Sequence, residues 1–211
     1  IEEALSILEI DQLAAQTLPP DHLRSFIQQV IKSTTPPIPK PGAWHRPKDG
    51  QPLLKAAVGG DEKWYRYAAF AIGLFGRRVS LVPQTSYLEC EEDAAASASY
   101  SVITLNYDRI LESASELTSE HPFGRGRPIR FDVASSGSVP SDAVPLVKLH
   151  GSVDQEILVP PTWQKTLHPE VKDLWRRAHT LLRGAHHLRI IGYSLPPPDG
   201  YVPYLLKAGL R

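Results

Sequence analysis

The sequence predicts an α/β fold in which a parallel sheet is covered by helices on both faces, with a helical subdomain beside it. Three apolar runs rich in β-branched residues follow residue 100, namely "SVITL", "VPLVKL" and "LRIIGYS". Helix-like segments alternate with them, and continuous apolar strands of this kind are typical of parallel sheets buried on both faces. We therefore divide the chain into a helical portion, 1–95, and a sheet-containing core, 96–211.

Composition excludes several classes of protein. The chain has 211 residues, of which 42% are hydrophobic, enough to form a packed core. Its 23 Lys and Arg residues balance 23 Asp and Glu residues, which argues against non-specific binding to nucleic acid. No apolar run approaches the roughly 20 residues that span a bilayer, and no signal peptide is visible, so we expect a cytoplasmic protein. The single cysteine, Cys90, forms neither an internal disulfide nor a Cys-rich zinc site.

The helical portion contains three predicted helices. The first covers "IEEALSILEIDQLAAQ", and the second follows Asp21, which is a good N-cap. A Pro-rich stretch, 34–52, separates them from a third helical region, 61–82, opened by Asp61. The aromatic residues of that third region have the spacing of a core-facing stripe, which we favour over base stacking.

Two further helices are predicted in the core. One runs from Asp108 to Leu117, directly after the first apolar run. The other lies in "HPEVKDLWRRAHTLLRG", where Pro169 suits a helix start and Gly184 a helix end. Both follow an apolar run in the alternating order expected for a parallel sheet.

Polar residues stand where each apolar run stops. The three stretches are 106–108 (Asn-Tyr-Asp), 150–152 (His-Gly-Ser) and 192–194 (Gly-Tyr-Ser). Open parallel sheets bind ligands outside the carboxyl ends of their strands. We therefore expect these three stretches to converge on one binding site.

Each candidate side chain also has a structural interpretation. His150 is a general base or a buried histidine satisfied by a backbone partner. Asn106 and Asp108 are ligand-facing residues or caps of the helix that follows. If the strand stays extended, these two point to the same side and Tyr107 points into the packing on the other side. Ser152 and Asp154 lie too close to His150 in the chain to form a Ser-His-Asp triad with it.

Other motifs carry little chemistry. His186 and His187 are adjacent and cannot share one helix face, so we expect no metal site. The basic stretch "GRGRPIR" does not follow a predicted strand, so it is not a dinucleotide fingerprint. We interpret it as a solvated loop, with phosphate contact as the alternative.

The strand-end motifs together resemble the sirtuin-like NAD-binding family. "TLNYD", "KLHGS" and "IIGYSL" are similar, in order and spacing, to the family's Asn-x-Asp strand end, its His-Gly segment and its Gly-x-Ser-Leu strand. "LVPPTWQK" and "GYSLPPPDGYVPYLL" resemble the zinc-free prokaryotic branch found in antiphage defence, in Thoeris systems and Argonaute-associated effectors. The resemblance covers residues 100–206 and implies a Rossmann-like sheet.

The resemblance implies an NAD+ glycohydrolase that cleaves NAD, its substrate, to nicotinamide and ADP-ribose. Two features of the family are missing from the sequence. The glycine-rich loop that cradles the pyrophosphate is expected upstream of Ile1, and one cysteine cannot build the four-cysteine zinc module of the deacetylating members. The alternatives are a non-catalytic module that binds NAD or ADP-ribose or serves assembly, and an NAD-dependent deacylase. Expected partners are further copies of the chain or a sensor protein, with no membrane and no nucleic acid.

The resemblance also implies roles for individual residues. Asn106 positions water or the ribose, Asp108 holds the nicotinamide amide, and His150 acts as a general base on the ribose hydroxyls or the water. Five further residues are expected to contact NAD, namely Gly151, Ser152, Gly192, Ser194 and Asp199.

Overall fold

The computed structural model describes most of the chain after residue 19, with gaps. The described residues are 20–38, 53–84, 88–92, 99–119, 130–133, 143–155, 158, 169–194 and 200–210. The elements within them are, in chain order, α1 (Pro20–Thr34), α2 (Leu53–Ala57), α3 (Glu62–Leu74), β1 (Arg77–Leu81), β2 (Leu88–Glu92), β3 (Val102–Thr104), α4 (Ile110–Ser119), β4 (Arg130–Asp132), β5 (Ala143–Lys148), α5 (Pro169–Arg183) and α6 (Tyr201–Gly209).

A parallel sheet of three strands forms the centre of the molecule. The strand order is β3-β5-β4, so β5 is the middle strand and pairs with both neighbours in parallel. Thr104 lies opposite Lys148, whereas Asp132 lies opposite Pro145. The carboxyl ends of β3 and β5 therefore reach the same edge of the sheet, and β4 ends about three residues short of it.

Helices cover both faces of this sheet, because side chains on a strand alternate between its faces. Val147 and Leu149 lie in one buried cluster with residues of α5 and α6. Lys148, between them, points the other way and contacts Glu112 of α4. The predicted α/β class with helices on both faces is thus confirmed.

The α5 and α6 helices approach each other closely at Gly209. A Cβ atom at this position would lie 2.6 Å from the Cβ of Leu182, well inside contact distance. On the same helix pair, the indole N–H of Trp175 donates a hydrogen bond of 3.1 Å to the carbonyl of Leu149 at the sheet edge. This bond ties α5 to the end of β5.

A second buried cluster lies in the helical layer. Its centre is Trp64 of α3, which is 1% exposed and packs edge-on against Tyr67 at 5.8 Å. Ala114 and Leu117 of α4 belong to the same cluster. The α4 helix is therefore packed between α3 and the sheet.

Small side chains allow α4 to occupy this crowded position. Ser113, Ala114, Ser115 and Thr118 are all buried. The hydroxyl groups of Ser115 and Thr118 donate 2.8 Å hydrogen bonds to carbonyls three residues earlier in the helix. Buried hydroxyls satisfied within the helix cost little, so the two layers approach without leaving these hydroxyls unpaired.

The α3 helix ends earlier than predicted. Asp61 caps its start, accepting from the backbone N–H groups of Lys63 and Trp64 at 2.9 and 3.0 Å, as the sequence suggested. The helix stops at Leu74, however, and Gly76 adopts a φ of 60°, a left-handed conformation that favours glycine. The predicted helical region up to residue 82 is wrong from this point.

An antiparallel hairpin of β1 and β2 replaces the end of that predicted helix. Oppositely charged residues face each other across it, and Arg78 lies 3.5 Å from Glu91. Cys90 is buried in β2 and packs against Ile72. Burial raises the pKa of the Cys90 thiol, and the charge of Arg77 opposes this only in part, so the thiol is not poised for reaction.

The third predicted strand, "LRIIGYS", does not form. No strand is present between residues 185 and 194, and Leu188, Ile190 and Ile191 are 42%, 52% and 71% exposed. The physical reason is the lack of a partner among the described residues: a β-branched run becomes a strand only where another strand satisfies its backbone groups. Only Tyr193 from this segment packs against the cluster around Val147.

Several sequence predictions lie outside the described residues. The first predicted helix and most of the Pro-rich stretch are among them. The basic stretch 124–130 is described only at Arg130, which begins the unforeseen strand β4. The division of the chain at residue 95 stays a prediction. No helix in the described part is long and apolar enough to cross a membrane.

Candidate functional site

The site lies where β3 and β5 end side by side. Beyond the last paired residues, the N–H of Leu149 donates to the carbonyl of Thr104 at 2.9 Å. Further along, the N–H of Val153 donates to the carbonyl of Tyr107, also at 2.9 Å. These bonds join the loop that follows β3 to the loop that follows β5. Two of the three predicted strand ends therefore meet as expected.

Asn106 occupies the exposed part of the first loop. Its backbone N–H donates to the Thr104 hydroxyl at 3.1 Å, which turns the chain away from the sheet. Its side chain is exposed and has no hydrogen-bond partner among the described residues. An amide in this position is available to donate to and accept from a ligand.

Asp108 has a structural role at the start of α4. Its Oδ1 accepts a hydrogen bond of 3.0 Å from the N–H of Ile110, the first residue of the helix. The predicted cap role is thus confirmed. The shared face predicted for Asn106 and Asp108 depended on an extended strand at these residues, and that condition is not met, because β3 already ends at Thr104.

His150 is buried in the second loop, with 3% of its surface exposed. Its ring lies 5.7 Å from the ring of Tyr107, tilted by 41°. Tyr107 is half-buried and contacts the histidine from the neighbouring loop. This contact brings the loop of Asn106 and the imidazole together.

Gly151 makes the turn after His150 possible. It is buried with a φ of 84°, a conformation that side chains disfavour, and its N–H donates to the carbonyl of Lys148 at 3.1 Å. The turn reverses the chain directly after β5 and directs Ser152 back toward the sheet.

A buried lysine connects the two loops beneath the site. Lys148 is 5% exposed, and its ammonium group has three acceptors: the Glu112 carboxylate at 2.8 Å, the Ser152 hydroxyl at 3.1 Å and the carbonyl of Asp108. A lysine ammonium has three N–H donors, so the group is fully satisfied. The sequence interpretation missed Lys148 and Glu112.

Ser152 extends this network toward the surface. Its hydroxyl donates to Asp154, whose other oxygen lies 3.2 Å from the Nε of Arg109, a contact of charges without hydrogen-bond geometry. Burial raises the pKa of Asp154, but the Ser152 hydrogen bond and the positive charges of Arg109 and Lys148 outweigh it, so the pKa is lowered. Ser152 is thus engaged by Lys148 and Asp154, which agrees with the rejection of a Ser-His-Asp triad.

Gly192 and Ser194 do not reach the site on a strand, because the third strand is absent. Gly192 has a φ of 67°, and nothing lies within 4 Å of the place that a Cβ would take. Ser194 is exposed. Asp199 lies outside the described residues. The predicted convergence of three strand ends is therefore reduced to two, and Gly192 belongs to the exposed segment beside Tyr193.

No metal centre is found in the described part of the chain. No group of three or more His, Cys, Asp or Glu side chains converges there in a way that would hold an ion. His186 and His187, the adjacent pair, lie in the exposed segment that follows α5.

Comparison with known families identifies the class of protein. A family model described as a SIR2-like domain matches residues 100–208, just over half of the chain. The chain therefore belongs to the SIR2-like family. Members of this family are NAD-dependent enzymes, so membership implies that the protein uses NAD. Searches of curated proteins and of solved structures give no significant match.

The residues at the sheet edge fit one end of NAD. The exposed amide of Asn106 suits a ligand with hydroxyl and amide groups, as the nicotinamide and ribose have. The imidazole of His150 lies in the adjoining loop, packed against Tyr107. The chemistry of these two side chains thus suits the nicotinamide-ribose end, and their contacts with it stay a prediction.

Proposed function

We propose that the protein is an NAD+ glycohydrolase of the zinc-free sirtuin-like type and acts as an effector in antiphage defence. One observation carries the proposal: within a SIR2-like domain, the Asn106 loop and the His150 loop are joined at the carboxyl edge of the sheet. This is the edge at which open parallel sheets bind nucleotides. The defence role rests on the resemblance of the sequence to the Thoeris and Argonaute-associated branch.

The proposed reaction needs a positioned nucleophile and a base. Bound NAD supplies the bond between nicotinamide and ribose, which water cleaves to give nicotinamide, ADP-ribose and a proton. The Asn106 amide orients the water or the ribose, since it is exposed and uncommitted among the described residues. His150 accepts the proton, and its burial beside Tyr107 keeps bulk water away from the imidazole.

The remaining residues have secondary roles in this proposal. Asp108 holds the loop of Asn106 at the start of α4 and contacts the nicotinamide amide when its loop carries a ligand. Gly151 and Ser152 shape the loop of His150. Gly192, Ser194 and Asp199 contact the ribose or phosphates.

Product analysis of the full-length protein with NAD tests the proposal. We expect nicotinamide and ADP-ribose in equal amounts. His150→Ala and Asn106→Ala each lower kcat by about 10²- to 10⁴-fold, the usual contribution of a positioned acid-base or orienting group. His187→Ala, which alters an exposed histidine outside the site, keeps wild-type turnover. Wild-type turnover in both site variants would disprove the catalytic assignment.

A second candidate function is favoured by the burial of His150. A module that binds a ligand without turning it over would also have a buried histidine, and His150 is 3% exposed and packed against Tyr107. Such a module senses NAD or ADP-ribose. It would show a higher melting temperature with either ligand while no product forms. For a defence effector we further propose self-assembly or a complex with a sensor protein, which light scattering of the full-length protein measures.

A further inference from the structure

Lys148 occupies an unusual position for a charged residue. It is the last residue of the central strand β5, where neighbouring side chains are apolar, and its side chain is 6% exposed. Its three acceptors come from three separate pieces of chain: the carbonyl of Asp108, the carboxylate of Glu112 and the hydroxyl of Ser152. The ammonium group is thus a junction between the loop after β3, the first turn of α4 and the loop after β5.

This junction holds the chain close in sequence to each of the two proposed catalytic residues. Asp108 is two residues after Asn106, and Ser152 is two residues after His150. The contacts of Lys148 with Asp108 and with Ser152 therefore restrain the loops that carry Asn106 and His150. A change in the ammonium position would move Asn106 and His150 relative to each other.

Stability alone does not explain this ion pair. Removing two charges from water costs about as much as their attraction returns, and apolar residues of similar size often replace a buried pair without loss of stability. What a buried pair with directional hydrogen bonds does supply is a defined geometry. The Lys148–Glu112 pair, with the two other acceptors, satisfies every donor of the ammonium group, so its position is fixed.

We infer that Lys148, held in place by Glu112, is a positioning residue that sets the separation and orientation of the Asn106 and His150 loops. The inference rests on the proposed function, because it assigns the two loops to one reaction. Lys148 does not touch the reacting atoms. It acts through the carbonyl of Asp108 and the hydroxyl of Ser152.

The competing explanation is that the pair only stabilises the fold, and a second ion pair provides the control. Arg177 of α5 lies 2.6 Å from Asp132 of β4, and the two side chains are 11% and 14% exposed. Asp132 is level with Pro145, three residues before Lys148 on the sheet. This pair resembles Lys148–Glu112 in burial and in joining a helix to the sheet, but it lies away from the two loops.

The test compares two double variants of the full-length protein, Lys148→Met with Glu112→Leu and Arg177→Met with Asp132→Leu. Removing both partners avoids leaving a buried charge unpaired, which would unfold the protein for an unrelated reason. We expect unfolding midpoints close to wild type for both. In the first variant kcat falls by about 10- to 100-fold while KM changes little, because the two loops are misplaced but every group that binds NAD is still present. The second variant keeps wild-type kcat.

Hydrogen exchange provides a readout that does not depend on turnover. In the Lys148–Glu112 double variant we expect faster amide exchange, by about tenfold or more, in residues 105–112 and 149–155, and unchanged exchange in the Arg177–Asp132 variant. Wild-type exchange in both stretches would overturn the positioning role even if NAD is hydrolysed. Faster exchange with no NAD turnover by the wild-type protein would instead refute the proposed function and leave the loop junction supported.

Discussion

Some side chains of the site already make hydrogen bonds within the protein, whereas another makes none among the described residues. Asp108 is bound to the first N–H of α4, and Ser152 is held by Lys148 and Asp154. Asn106 is exposed, with no side-chain hydrogen bond among the described residues. Substitution of these residues should therefore separate structural from functional effects.

A pair of alanine variants makes this separation measurable. Asp108→Ala removes the cap and is expected to lower the free energy of unfolding by about 1 kcal/mol. Asn106→Ala removes an exposed side chain and is expected to change it by less than about 0.5 kcal/mol. Urea denaturation of the full-length variants measures both values. Equal losses in the two variants would contradict the assigned cap role.

The candidate residues could be predicted only where local sequence defines them. Asn106, Asp108 and His150 stand at the ends of apolar runs, and that position alone predicts proximity to a ligand. Lys148 and Glu112 are 36 positions apart in the chain, and nothing in either local pattern shows that they meet. Their contact depends on how α4 packs against the sheet.

Among the elements, the segment after α5 adopts a structure different from the strand that its sequence pattern predicts. Residues 188–191 have the composition of a buried strand but lie exposed outside the sheet. The two strands β3 and β5, with similar composition, are paired in parallel. Composition makes a segment suitable for a sheet, and a neighbouring backbone decides whether it joins one.

Matched substitutions distinguish the exposed segment from a true strand. Ile191 is 71% exposed and Val147 is fully buried in β5. We expect Ile191→Thr to change the free energy of unfolding by less than about 0.5 kcal/mol, and Val147→Thr to lower it by about 1–3 kcal/mol by burying a hydroxyl. Urea denaturation checks both. A loss at Ile191 as large as that at Val147 would show that the segment is packed.

Long elements with clear start signals could be predicted from the sequence, whereas short elements and those without a clear boundary could not. The α3 and α5 helices combine long apolar periodicity with clear start signals at Asp61 and Pro169, and both were predicted at these ends. The β1 strand was missed because its apolar residues continue the helical pattern past Gly76. The β4 strand has three residues, too few for any periodicity to appear.

The whole molecule is organised around α4, which belongs to both layers. On one side, Ala114 and Leu117 lie in the cluster centred on Trp64. On the other, Glu112 is bound to Lys148 of the sheet. The fold class could be predicted from the alternation of strands and helices. The position of α4 between the two layers could not, because the periodicity of a helix does not show which elements it packs against. We therefore expect the two clusters to unfold together.

Two local probes can test that cooperativity. Trp64 reports on the helical cluster, and Trp175, through its bond to Leu149, reports on the cluster at the sheet. We expect that in a variant retaining either one as its only tryptophan, the fluorescence transition in urea coincides with the circular dichroism transition of that same variant. A fluorescence transition that precedes or follows the loss of helix in either variant would mean that the layers unfold separately.

The burial of α4 also has a practical consequence for labelling and redesign. Between residues 110 and 118, Glu116 is the one exposed position, and it reaches back to Arg109 at 2.9 Å. A dye or spin label attached there would stand on a helix whose backbone is packed on both sides, against the Trp64 cluster and against the sheet. Glu116 is therefore the position within this range at which a label can be attached without entering either buried cluster.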